Sequence, residues 1–126
     1  MLPHAYPFRL VEASADGTVT VLVTLNAAWS RGGAELPRFL AVEALAQSAI
    51  LALAGTGETP GASRGGLLAG LDDVRFALPL RAGDRLEARA TLLGRLGPLV
   101  KVRGELRRDG EVAVEADLLL ALTPGA

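Results

Sequence analysis

The run from Leu36 to Leu53, L-P-R-F-L-A-V-E-A-L-A-Q-S-A-I-L-A-L, is the longest stretch of the chain that is free of breakers and apolar on nearly every side. Its length and residue types predict one helix over about 36–54, with Pro37 in the first turn and Gly55 as the stop. Apolar residues cover too much of the circumference for a single wet face, so other elements should enclose this helix. Two polar residues interrupt it. Glu43 and Gln47 stand four apart, one turn above the other on one face, and a carboxylate there has to be paired, protonated or open to a cleft.

On either side the pattern changes to alternation. Phe8 to Glu12 begins a strand after Pro3 and Pro7, Asp16-Gly17 is a hairpin signal, and Thr18 to Leu25 is a β-branched second strand. An irregular connection from Asn26 to Glu35 leads into the helix, and the twelve residues from Gly55 to Gly66 hold five glycines and a proline, as a surface loop would. Leu67 to Leu71 and Val74 to Leu78 then read as one strand, bulged near Asp72-Asp73, and Arg81 to Asp84 as a turn. Leu86, Ala88, Ala90 and Leu92 share one side of the next strand, Val100, Val102 and Leu106 one side of another, and Val112 to Leu122 continues the pattern beyond a turn at Asp109-Gly110. The order β-β-α-β-β-β-β predicts an α+β fold in which a curled antiparallel sheet of about six strands wraps one long buried helix and leaves its far face wet.

Composition narrows the chemistry. At 126 residues the chain suits one domain, 1–126, and a net charge of −1 with both signs interspersed gives no basic stripe for nucleic acid. With no cysteine and a single histidine, neither a thiolate nucleophile nor a transition-metal site is expected, and no cofactor is called for. The N-terminal residues lack the regions of a signal peptide and the apolar run carries Glu43 and Gln47, so no membrane span is expected and the cytoplasm is the expected setting.

Several segments in order resemble one family. Leu2-Pro3-His4-Ala5-Tyr6-Pro7-Phe8-Arg9-Leu10-Val11-Glu12 is similar to L-P-H-R-Y-P-F-L-L-V-D, the opening of the hotdog-fold 3-hydroxyacyl-acyl carrier protein dehydratases, the FabZ/FabA type of thioester dehydratase. Val42-Glu43-Ala44-Leu45-Ala46-Gln47 resembles the helix motif V-E-A-M-A-Q of that family. Ala69 to Phe76, Ala82-Gly83-Asp84 and Asp109 to Ala116 resemble its later segments. The family also carries a catalytic histidine in a loop before the helix. With Val23-Thr24-Leu25-Asn26 set against the family's V-T-I-N, Gly33 stands in the histidine's place, ten residues before Glu43, and the loop is shorter by about four residues.

The resemblance implies a hotdog domain acting on or binding 3-hydroxyacyl thioesters of acyl carrier protein or coenzyme A, in fatty-acid or polyketide-type metabolism. Dehydration there needs a base for the C2 proton, an acid for the C3 hydroxyl and donors for the thioester oxygen. By resemblance Glu43 is the acid, or a nucleophile or base, Gln47 orients it, and Gly33, Pro37, Arg38 and Phe76 surround the substrate, with Arg38 offering a backbone N–H at the helix start. His4 matches a histidine additional to the catalytic one, and Trp29 and Phe76 either line an acyl tunnel or are plain core.

Three functions stay open at this point. One is a dehydratase-like protein, complete only if a histidine-bearing paralogue joins it as a heterodimer. Another is an acyl thioesterase that uses Glu43. The third is a non-catalytic acyl-binding or partner subunit. In each the open sheet edges lead to an expected homodimer or larger assembly. Arg75, Arg103, Arg107 and Arg108 either meet an acidic carrier protein or a pantetheine phosphate, or are solvated strand faces.

Overall fold

In the last hairpin of the chain, Asp109 and Gly110 take φ of 52° and 83°, the left-handed pair that lets a two-residue turn match the twist of its strands. The structure, a computed structural model, describes residues 8–13, 19–23, 35–56, 66–81 and 83–122. Its elements are β1 (Phe8–Ala13), β2 (Val19–Val23), α1 (Arg38–Thr56), β3 (Gly66–Phe76), β4 (Arg85–Leu96), β5 (Leu99–Arg108) and β6 (Glu111–Leu122). All neighbours pair antiparallel in one six-stranded sheet of order β1-β2-β4-β5-β6-β3. The chain leaves β2 near one edge and re-enters as β3 at the other, so α1 lies across the sheet between the two and touches every strand. This is the hotdog arrangement that the sequence pattern and the family motifs lead to.

The middle of the sheet is built from small side chains. Ala90, Gly104 and Ala116 stand side by side on β4, β5 and β6, all on the helix face, and Leu45 of α1 presses into the space they leave. A Cβ on Gly104 would come within 3.0 Å of Leu118 Cδ1 and 3.2 Å of Leu45 Cδ1, so any side chain here would push those leucines aside. Around the contact, Ala41, Ala44, Ala49, Ala52 and Leu53 of the helix meet Leu86, Val100, Val102, Leu106, Leu118 and Leu120 of the sheet in one buried core.

Several expectations shift. The helix begins at Arg38 rather than Leu36, because Leu36 donates its N–H to Leu80 O at 2.6 Å and Glu35 bridges Arg81, which keeps both residues extended. Pro37 is the N-cap: its carbonyl accepts from Leu40 and Ala41, each at 3.0 Å. At the other end the helix passes through Gly55 to Thr56. Nor is it enclosed all round. Phe39 is 69% exposed, and Glu43, Gln47 and Leu51, each four further on, are half-buried along the same outward stripe. Residues Gly94 to Leu96 continue β4 past a register shift, so that only Gly97-Pro98 turns. The Asp16-Gly17 turn and residues 57–65 of the glycine-rich loop lie outside the described residues.

Candidate active site

Strand β3 carries two bulges, and the second decides which side chains reach the helix. Asp72 pairs with Asp117 but Arg75 pairs with Glu115, so Asp73 and Val74 together face the single residue Ala116, with Asp73 at a φ of 50°. Side chains alternate faces along a strand, so the extra residue inverts everything beyond it. Without it Arg75 would stand opposite Val114 on the apolar helix face; with it Arg75 lies outside, 3.1 Å from Glu115, and Phe76 lies inside against Val114. The bulge expected near Asp72-Asp73 is therefore what delivers Phe76 to the helix side.

Phe76 meets the start of α1. The Arg38 guanidinium stands over its ring, with Cζ 5.0 Å from the centroid, within the range of a cation–π contact. Arg38 occupies the first helical residue, where a cation opposes the helix dipole, and α1 has no acidic residue in its first turn. The two side chains border a cavity of about 250 Å³ whose walls are Leu36, Ala41, Ala77, Leu78, Leu80 and Val114, with Glu35 and Pro79 at its margin. The segment that follows its wall of Ala77 to Leu80 is tied down by Arg108 and Asp84. Arg108 donates to Pro79 O at 2.8 Å and to Asp84 Oδ2 at 3.1 Å, and Arg81 N–H donates to the same carboxylate oxygen at 2.8 Å.

Glu43 and Gln47 are bonded to each other but lie elsewhere. Gln47 Nε2 donates to Glu43 Oε1 at 3.2 Å, and neither residue lines the cavity of Arg38 and Phe76. The structure thus brings Arg38 and Phe76 together at one place, with Pro37 next to Arg38 in the chain but not lining the cavity, and Glu43 with Gln47 at another, on the outward stripe of the helix. Gly33, Trp29 and His4 lie outside the described residues. Among the described residues there is no group of three or more His, Cys, Asp or Glu side chains that would hold a metal ion, and no helix long and apolar enough to cross a membrane.

The four arginines named for a carrier protein or a phosphate are all engaged. Arg75 and Arg103 meet Glu115 at 3.1 Å, Arg103 meets Asp117 at 3.0 Å, Arg107 meets Glu105 at 2.8 Å and Arg108 meets Asp84 at 3.1 Å. The hydrogen bond from Arg103 to Asp117 raises the guanidinium above its ordinary pKa, so its charge is fixed at any working pH. Sequence reasoning passed over Ser48. It is fully buried, and its Oγ has no hydrogen-bond partner among the described residues. Its place next to Gln47, inside the small-residue face of the helix, was the available signal.

No family model matches the chain. Single relatives do. It is 34% identical to the 3-hydroxyacyl-acyl-carrier-protein dehydratase FabZ of Oceanobacillus iheyensis, over 97% of this chain and 93% of that protein. It is 35% identical to the FabZ of Aromatoleum aromaticum, over 96% and 91%. Among solved structures, the Escherichia coli PaaI protein from the phenylacetic acid degradation operon superposes with a TM-score of 0.65 at 15% identity, over 97% of this chain and 83% of that one. A hypothetical thioesterase protein with coenzyme A from Streptococcus pneumoniae gives 0.61 at 12% identity, over 92% and 85%. These two likenesses are of fold alone. On the identity and coverage of the sequence relatives, the chain belongs to the FabZ family of 3-hydroxyacyl-acyl-carrier-protein dehydratases.

Proposed function

We propose that this chain works on 3-hydroxyacyl thioesters as a dehydratase-like subunit whose acid–base group is Glu43 alone. The observation that carries the reading is the Gln47–Glu43 hydrogen bond on the outward stripe of α1, apart from the cavity of its own chain. A carboxylate presented outward, on a helix whose start borders the cavity, suits an assembly in which a second copy brings its Glu43 to that cavity. By the motif resemblance Gly33 takes the place of the family's histidine, and on this reading the two proton transfers fall to one group. The Glu43 carboxylate takes the C2 proton, electrons pass into the thioester carbonyl, and the same proton is returned to the C3 hydroxyl, which leaves as water while the C2–C3 double bond forms. The N–H of Arg38, ahead of the first intrahelical bond, is the donor for the thioester oxygen.

A second reading uses the same carboxylate for hydrolysis, and one observation favours it: the fold is shared with the hypothetical thioesterase protein with coenzyme A, and a carboxylate can serve as the nucleophile. The two differ in product. Incubation of the full chain with 3-hydroxybutyryl- and crotonyl-pantetheine separates them, since dehydration interconverts the two thioesters and hydrolysis releases free thiol. The dehydratase reading expects interconversion without thiol; thiol release transfers the assignment to hydrolysis. Loss of neither substrate removes both and leaves binding, which calorimetry with the same thioesters reads.

A further inference from the structure

The second bulge of β3 is held within its own strand by Asp72, whose Oδ1 accepts from Asp73 N–H at 2.9 Å, and across strands by Arg103, from the face of the sheet opposite the cavity. Arg103 lies on β5, directly across from Asp117 of β6. Its guanidinium spreads over three acceptors: Nη1 to Asp117 Oδ1 at 3.0 Å, Nη2 to Glu115 Oε1 at 3.1 Å, and Nη1 again to Asp73 O at 3.4 Å. Asp117 and Glu115 are the β6 residues that bracket the bulge in the pairing register, and Asp73 is the bulged residue itself, in a left-handed conformation that a side chain rarely adopts. A planar guanidinium can fork to all three, which an ammonium cannot. Arg75, brought outside by the bulge, shares the Glu115 oxygen with Arg103, so both sides of the inversion close on one carboxylate.

From these contacts we infer that Arg103 is a positioning residue for the cavity: by pinning the Asp72–Arg75 bulge it fixes the register that puts Phe76 under Arg38. The inference rests on reading that cavity as the acyl-thioester site. It assigns to a side chain on the outer face of the sheet, with no contact to the cavity, control over how well the cavity holds its ligand. Of the outer-face pairs, Arg75–Glu115 belongs to the bulge, but Arg75 lies on β3 and ties it to β6 alone, whereas Arg103 reaches it from β5. Arg107, on the same strand, meets only Glu105 and touches no part of the bulge.

The test compares Arg103→Met, Arg103→Lys and Arg107→Met in the full chain by two readouts: amide hydrogen exchange across residues 72–76, and calorimetric binding of crotonyl-pantetheine. Arg103→Met is expected to exchange faster at the bulge than at β4 and to bind about tenfold more weakly, the cost of a displaced wall residue. Arg103→Lys, which keeps the charge and so the fold even where Met does not, is expected to show faster exchange at the bulge and weaker binding without a matching loss of stability. Arg107→Met should behave as the parent in both. Parent-like exchange and binding in Arg103→Lys would overturn the inference, as would an equal loss in Arg107→Met. If the parent itself binds no crotonyl-pantetheine, the acyl-site reading fails, and so does the functional part of the inference; the exchange data then still decide whether Arg103 pins the bulge.

Discussion

Gln47 donates its side-chain amide to the Glu43 carboxylate across one turn of α1, at 3.2 Å, on the half-buried stripe that faces away from the sheet. The bond fixes one rotamer of a carboxylate that no other described side chain holds. Gln47→Ala should therefore lower thioester turnover about tenfold, the value of a hydrogen bond to a charged group, while the unfolding midpoint stays near the parent's because the stripe is not core. Steady-state rates beside urea unfolding check it. A stability loss as large as the activity loss would mean that the pair is structural.

Gly104 and Leu45 set how close the helix comes to the sheet. Gly104→Ala places a methyl 3.0 Å from Leu118 and 3.2 Å from Leu45, both fully buried and with few free directions to move. Overpacking of this kind costs about 1–3 kcal/mol, and urea unfolding should find a loss in that range. An unchanged midpoint would mean that the helix rises from the sheet without resistance.

Ser48 makes the opposite prediction. Its buried Oγ has no partner among the described residues, so Ser48→Ala removes a desolvated hydroxyl and little volume. The variant should be more stable by about 1 kcal/mol. Destabilisation would reveal a bound water or another acceptor on that hydroxyl.

For Phe76 and Arg38 a double-mutant cycle is the direct measure. Phe76→Leu keeps an apolar wall but removes the ring face, and Arg38→Gln removes the cation from a helix start that disfavours it. The coupling between the two should be about 0.5–1 kcal/mol, the strength of an exposed cation–π contact. Zero coupling would make their proximity incidental and weaken the case for a built cavity mouth.

The strands and their order along the chain were legible because one residue in two is apolar on the helix face, from Leu86 to Leu92 and from Val114 to Leu122; Val112, expected in the same row, lies off it, paired with Arg107 beyond a register shift. The bulge in β3 was legible for the same reason: the alternation of Leu67 to Leu71 changes phase before Phe76, and two aspartates sit at the break. The helix boundaries were less so. Leu36 and Pro37 are apolar like the helix that follows, and only a long-range bond to Leu80 keeps them out of it. The small row of Ala90, Gly104 and Ala116 was missed because its meaning comes from Leu45, distant in sequence. Of the site, the Glu43–Gln47 pair followed from helical spacing, while the contact of Arg38 with Phe76 joins two segments that no local pattern relates.

The assignment of the chemistry to Glu43 is tested most directly by the rate of interconversion of 3-hydroxybutyryl- and crotonyl-pantetheine, measured for the full chain and for Glu43→Gln. That substitution keeps the shape and the Gln47 contact and removes the proton carrier. The parent should convert the substrate and Glu43→Gln should fall by at least about a hundredfold, the contribution of a general acid–base group, with unfolding unchanged. Equal rates in the two proteins, or none in the parent, would contradict it.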